Sequence, residues 1–394
     1  MTTIDFKANA EAMRDELVAR RRDFHMHPEL AFEEFRTAGI VAQELSALGL
    51  EVQAGVGKTG VVAMLEGDKD GPTVLVRADM DALPILEENQ TSYASQTPGK
   101  MHACGHDGHT TIALGVAKLL SQHRDKIAGR VKFVFQPAEE VVGGAKAMIA
   151  DGVLTDPRPD VTLGLHLWNS LPLGTLGVGD GPVMAGSSVF TLKITGKGGH
   201  AALPHQGVDP VVCAAQIITA FQTIVSRNND PLDGLVISVT WLHSGTAFNI
   251  IPQDVEMRGT MRFFKLEVRD LLERRMQEIA EGIAAAMGCT IELQIEHNVL
   301  PVVNNPEVTG RMRDLFRSYV GDAGLNTAER TMGAEDVGLL MDDIPGIYFF
   351  LGAAVPNQET YYGHHHPKFD FDENALPLGV ALLSAAVADY LIPD

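Results

Sequence analysis

His102, Cys104, His106, Asp107 and His109 fall within eight residues, and Gly105 and Gly108 punctuate them. Thiolate, imidazole and carboxylate in one short stretch suit a borderline-soft ion such as Zn²⁺, with Mn²⁺, Co²⁺ or Ni²⁺ as other occupants. The glycines let the backbone bend sharply enough for side chains two apart to converge. Any one of these residues alone would read as a buried Cys or a helix-capping Asp in a turn. At this density they read as metal ligands.

Glu139 and Glu140 form a second group, after the apolar run VKFVFQ (131–136) and before Gly143 and Gly144. A lone acidic pair in a turn is usually just solvated. Adjacent carboxylates at the end of an apolar strand point different ways, so one can bind metal while the other serves as base. His364, His365 and His366, followed by Pro367, make a third group. One of the three is expected to reach the metals, with the others solvated or supporting it.

The elements that must position these groups are legible in the hydrophobic pattern. Helical patterning covers residues 6–22 and 32–48. Short apolar segments follow that read as strands: VVAML (61–65), TVLVRA (73–78), VKFVFQ (131–136) and VTLGLH (161–166). An apolar helix starts near Gly108, between the second and third. Strands alternating with helices imply an α/β sheet with helices on its faces. Strand 73–78 runs into Asp79 and Asp81, strand 131–136 into the glutamate pair, and strand 161–166 ends at His166. In open α/β sheets ligand sites lie beyond the carboxyl ends of the strands, so these ends are expected to share a site.

The style changes near residue 187. SVFTLKITGK alternates like a half-solvated antiparallel strand. Asp209 and Pro210 offer an N-cap and a first-turn Pro for the helix that follows. Strands LVISVTWL and DVEMRGTMRFF, a helix over 266–287 closed by Gly288, and the strand TIELQIE complete an α+β unit. The chain then returns to α/β style, with a helix at 306–320, the strand GIYFFLG and a last helix at 373–391. Two domains are expected: residues 1–186 with 299–394, and an inserted 187–298.

Composition narrows the partners. A net charge of −20 argues against nucleic acid, whose phosphates demand a basic surface. The N-terminal segment mixes acids and bases and lacks the apolar core of a secretory signal, and no apolar run approaches a bilayer span of roughly 20 residues. Three cysteines, at 104, 213 and 289, cannot form a full disulfide framework. A cytoplasmic protein without membrane contact is expected. Cys213 in an apolar helix and Cys289 just past a helix end read as core. Residues 55–60 (GVGKTG) imitate a phosphate loop, but a strand rather than a helix follows, so the motif lacks its context.

With these residues on the page, the chain resembles the N-acyl-amino-acid amidohydrolases: hippurate hydrolases, aminoacylases, acyl-diaminopimelate deacetylases and auxin-conjugate hydrolases, within a wider family of two-metal peptidases. RRDFHMHPELAFEEFRT, RADMDALPI, MHACGHDGHTT, FQPAEE, GLHLW, GKGGHAALPH and HHHPKFDFDE occur in that family's order, from about residue 15 to 390. The resemblance implies a zinc-peptidase-like mixed sheet flanked by helices, carrying an inserted α+β lid through which subunits form a homodimer or homotetramer. It implies two divalent ions per subunit held by Cys104, His106, Glu140, His166 and His365, with Glu139 as general base. It implies that Asp81 orients the site from behind the ligands, with Asp79 close by. In the lid, His200 would reach an active site, often that of a partner subunit, and Asn249 and Arg262 would hold the substrate.

The chemistry so implied is amide hydrolysis of a small N-acyl amino acid. Two ions would acidify a water and polarise the carbonyl. Glu139 would take the water's proton and pass it to the leaving amine, His200 would stabilise the oxyanion, and Arg262 would grip the free carboxylate as a fork. A surface ion pair on its strand is the competing reading for Arg262. A carboxypeptidase or dipeptidase on the same scaffold is the nearest rival activity. A non-catalytic relative that binds metal or ligand is the more distant one, disfavoured by the presence of Glu139.

Overall fold

The structure is a computed structural model and describes residues 4–356 and 360–393. Residues 1–3, 357–359 and 394, which fall inside the expected domain ranges, lie outside the described residues. Two units can be distinguished, one of Met1–Val183, Val302–Arg330 and Asp336–Asp394, the other of Met184–Pro301 and Thr331–Glu335.

The first unit is organised by strands that begin polar and end buried. Strand β3 (Lys69–Asp79) opens on exposed residues and closes on seven consecutive buried ones, ending at Asp79. β4 (Ala128–Gln136) and β5 (Val161–Trp168) are buried along almost their whole length. Continuous burial is what a strand covered on both faces requires. With β1 (Glu51–Val56), β2 (Gly60–Glu66), β6 (Leu176–Gly177), β7 (Leu325–Asn326) and β8 (Gly346–Gly352), they form an eight-stranded sheet in the order β1-β2-β4-β3-β5-β8-β6-β7. The central strands β4, β3, β5 and β8 are mutually parallel, whereas β1, β2 and the β8–β6 pair run antiparallel. The sheet is therefore mixed, and its parallel centre brings four carboxyl ends to one edge.

Helices cover this sheet. α4 (His106–Ser121) and the C-terminal helix α7 (Ala375–Leu391) are buried along most of their length. They approach each other at glycines: a Cβ on Gly115 would stand 2.6 Å from Val380, and one on Gly379 would stand 2.7 Å from Ile112. The remaining helices are α1 (Phe6–Glu11), α2 (Arg14–Met26), α3 (Phe35–Ala47), α5 (Gly144–Ala150) and α6 (Pro306–Val320). The single helix expected over 6–22 is two, separated at Ala12 and Met13, and the second continues to Met26. The helix expected from 32 begins at 35, because Phe32 takes a positive φ of 60° and the segment turns before it coils. Strand β1 went unread, since only Val56 of its six residues is buried. Within residues 55–60, positions 57–59 form the turn of the β1–β2 hairpin and the strand β2 follows.

In the second unit, strands Leu235–His243, Asp254–Phe263, Gly186–Thr195 and Thr290–Val299 pair antiparallel in that order. Helix Leu266–Met287 buries Val268, Leu272, Met276, Ala280 and Ala284, one stripe at a spacing of four. Helix Pro210–Thr223 starts on an Asp209 side chain that accepts from the Val211 and Val212 amides, and Gly288 ends the longer helix at φ 75°. Both caps match expectation. Cys213 and Cys289 lie in this unit's core with their thiols in contact, and burial together with Cys289 pushes the Cys213 pKa up to about 12.

Candidate metal centre

Within the first unit, the loop before α4 brings its ligand-type residues inward because two glycines permit it. Gly105 holds φ 90° as the residue preceding α4. Gly108 sits so close to the sheet that a Cβ there would lie 2.4 Å from Leu167 and 2.7 Å from Phe371. Cys104 and His106 are consequently buried at the carboxyl edge of the sheet.

Two overlapping triplets of donor atoms result. Cys104, His106 and His166 form one, and Cys104, Glu140 and His365 form the other; within each, the candidate donors lie within 4.8 Å of one another. Cys104 belongs to both. Its Sγ is 3.6 Å from His166 Nε2, and Glu140 Oε2 is 3.3 Å from His365 Nε2. His106 Nε2 lies 3.9 Å from both Glu139 Oε2 and Glu140 Oε1.

The arrangement fits cations on grounds independent of spacing. His106 Nδ1 donates to the Asp81 carbonyl at 2.9 Å and His166 Nδ1 to the Leu167 carbonyl at 2.9 Å. Both rings are thereby fixed with Nε2 turned inward, the orientation that metal-binding imidazoles receive from such bonds. His106 Nε2 and Glu140 Oε1 are buried without a hydrogen-bond partner among the described residues. Burial opposes charge on His106, yet Asp79, Asp81 and Glu140 outweigh it and push its pKa to about 10, so the surroundings favour positive charge. Burial drives His166 the other way, well below its usual range, which leaves a neutral imidazole.

Carboxylates behind the candidate donors hold the backbone. Asp81 accepts from the amides of Glu139 and Glu140, at 3.0 Å each. Ala138, at φ 53°, donates its amide to buried Glu34 at 2.9 Å. The two glutamates do not diverge as an extended strand end would make them. Ala138 and Val142, both at positive φ, wrap the segment into a turn, so alternation is lost and both carboxylates face His106. They still differ, since only Glu140 groups with Cys104 and His365.

Of the histidine run, His365 is the member near Glu140. It holds φ 65° while its amide donates to the Ala103 carbonyl at 2.8 Å, a strained conformation at the place where the side chain must reach a donor group. His364 donates to the Leu167 carbonyl at 3.0 Å and His366 packs on Tyr362. His109, counted above among the ligand-type residues, is used elsewhere: Nδ1 donates to Asp79 at 2.7 Å and Nε2 accepts from the Leu167 amide at 2.9 Å. Burial would raise the Asp79 pKa, but His106, His109 and Arg77 hold it well below the carboxylate range. His102 is buried, with a pKa lowered to about 4 chiefly by that burial.

Three supporting residues escaped the sequence reading. Buried Arg77 donates to Asp79 at 2.7 Å and to Asp336 at 3.2 Å, and Asp336 in turn accepts from Gln136 and the Ala145 amide. A lone Arg within the apolar TVLVRA was the available signal. Glu34 is the third, and nothing in its local pattern marks it.

In the second unit, His200 and Ile250 are cross-strand partners in a short ladder, and the Ala201 amide donates to the Asn249 carbonyl at 3.0 Å. His200 and Asn249 are therefore neighbours and both exposed. Arg262 is half-buried; it donates to the Thr260 hydroxyl and to the Met261 carbonyl at 3.0 Å, and makes no ion pair among the described residues. Burial lowers its pKa.

Residues 75–389 match the peptidase family M20/M25/M40. The chain is 45% identical over 308 residues to an N-acyl-L-amino acid amidohydrolase of Geobacillus stearothermophilus, covering 78% of this chain and 83% of that one. It is 41% identical to thermostable carboxypeptidase 2 of Saccharolobus solfataricus, covering 97% of both. A crystal structure of a dinuclear metal-binding peptidase from Bacillus subtilis superposes with a TM-score of 0.84 at 35% identity, covering 96% of this chain and 98% of that one.

Proposed function

The chain belongs to peptidase family M20/M25/M40, and from that premise we propose that it is a metal-dependent amidohydrolase acting on N-acyl-L-amino acids, releasing a carboxylic acid and a free amino acid. The observation that carries this reading is the pair of donor triplets sharing Cys104, with Glu139 beside them. Cys104, His106, Glu140, His166 and His365 would hold two divalent ions. Zn²⁺ is the proposed metal, on the strength of a thiolate and imidazoles in the donor set, with Mn²⁺, Co²⁺ and Ni²⁺ as competitors. Such ions, when bound, supply Lewis-acid polarisation of the amide carbonyl and a more acidic water.

The residues of the chain do the rest. Glu139 accepts a proton from the attacking water and returns it to the leaving nitrogen, so that the amine departs neutral. Asp81 keeps Glu139 and Glu140 in register by holding their amides. His200 and Asn249 are proposed to meet the reacting carbonyl. Arg262, free of any acidic partner among the described residues, is proposed to grip the substrate carboxylate. A homodimer or homotetramer through the inserted unit is proposed with them. So is a reducing, cytoplasmic setting, which suits three free cysteines. No helix of the described residues is long and apolar enough to cross a membrane.

The second reading, carboxypeptidase or dipeptidase, is favoured by the 41% identity to the Saccharolobus enzyme. A panel of N-acetyl, N-benzoyl and dipeptide substrates separates the two. Higher kcat/KM on acyl-amino acids, hippurate included, is expected. Dipeptides turned over faster than every acyl-amino acid would overturn the deacylase.

A further inference from the structure

The two donor triplets are built on chain segments of different kinds. Cys104, His106 and His166 sit at the start of α4 and the end of β5, and the His109 bond to the Leu167 amide joins those two elements directly. His365 instead lies in the irregular stretch between β8 and α7. That stretch is held against the loop carrying Cys104 and His106 by the His365 amide bond to the Ala103 carbonyl and, from behind, by a buried charged junction on α2. Arg21 is fully buried; Nε donates to Asp107 at 2.9 Å, Nη2 to Asp370 at 2.9 Å and Nη1 to Glu373 at 3.3 Å. Its guanidinium also lies 4.2 Å from the centre of the Phe371 ring. Asp107 follows His106 directly, and Asp370 is five residues beyond His365. One planar fork thus grips both ligand-bearing loops at once. His25 donates to the same Asp107 oxygen at 2.7 Å, and the Tyr93 hydroxyl donates to Asp370 at 2.7 Å.

We propose that Arg21 is a positioning residue that sets the His365 loop against the Cys104–His106 loop, and so governs selectively the metal position to which His365 contributes. This rests on the metal centre proposed above. Lys cannot replace Arg here, because an ammonium lacks the fork that reaches two carboxylates in fixed directions. Groups that orient metal ligands from behind typically change metal affinity by about 10–100-fold when removed.

The test is calorimetric titration of the metal-stripped full chain with Zn²⁺, comparing wild type, Arg21→Lys, Asp370→Asn, His365→Ala, His166→Ala and Cys104→Ser. Two binding events are expected in the wild type. Arg21→Lys and Asp370→Asn should weaken one of them about 10–100-fold, reproducing the His365→Ala isotherm and not that of His166→Ala. A lowered Tm with both affinities intact would reduce Arg21 to a stability role and overturn the proposal, as would equal weakening of both events. Asp370→Asn keeps the proposal testable should the Arg21 variant fail to fold. Cys104→Ser protein that takes up Zn²⁺ like the wild type would sink the metal centre itself, a different failure from that of Arg21.

Discussion

Glu139 and Glu140 are adjacent and equally drawn toward His106, yet only Glu140 groups with Cys104 and His365, and that difference is the basis for dividing their labour. Replacing the base should leave the ligands in place: Glu139→Gln is expected to lower kcat by about 10²–10⁴-fold while metal content stays at the wild-type level. Concurrent loss of metal would make Glu139 a ligand instead. Asp107 gives a pH prediction. Burial would raise its pKa, but Arg21 and His25 hold it far below the unfolded value of about 3.9. A depressed folded-state pKa contributes stability in full above the unfolded value, and that contribution disappears as pH falls through it toward the folded one. Urea midpoints of the metal-stripped protein should therefore drop on acidification below about pH 4. They should drop less steeply in the Arg21→Met, Asp107→Asn double variant. Parallel curves for the two proteins would refute the assignment.

At the scale of elements, much of the chain declares itself. Apolar runs ending in Asp79, Gln136 and His166 became β3, β4 and β5, because strands buried on both faces leave a continuous hydrophobic trace. The caps at Asp209 and Gly288 were equally readable, since each satisfies orphaned backbone groups with a characteristic residue type. Cys104, His106 and Glu140 stand out by position, as ligand-type residues crowded into a short Gly-punctuated loop or set just past an apolar strand. What stayed hidden depends on contacts distant in sequence. β1 is largely exposed, and Glu34 reaches Ala138 across about a hundred residues. Arg21 is one of three consecutive arginines, with only its position four residues after Leu17, on the same helix face, to distinguish it. The turn that swings Glu139 and Glu140 together rests on positive φ at Ala138 and Val142, which neither residue type advertises. Element-scale packing is testable at Gly108. Gly108→Ala drives a methyl into Leu167 and Phe371 and should cost about 1–3 kcal/mol, read from urea midpoints. An unchanged midpoint would mean that the neighbours yield freely.

At the scale of the whole molecule, one unit carries the candidate metal donors and the other carries His200, Asn249 and Arg262, the residues proposed to act on substrate. The proposal that His200 serves a partner subunit predicts rescue. Inactive His200→Ala and inactive Glu139→Gln subunits, once exchange into mixed dimers is verified, should regain part of the wild-type rate. Verified mixed dimers without activity would confine His200 to its own subunit or remove it from the reaction. The central claim, however, is the shared ligand. Because Cys104 belongs to both donor triplets, elemental analysis of purified Cys104→Ala beside the wild type tests it most directly. The account predicts two divalent ions per chain in the wild type and less than one in the variant, with hydrolysis of N-acetyl amino acids lost in parallel. Two ions retained in a folded Cys104→Ala protein would contradict it.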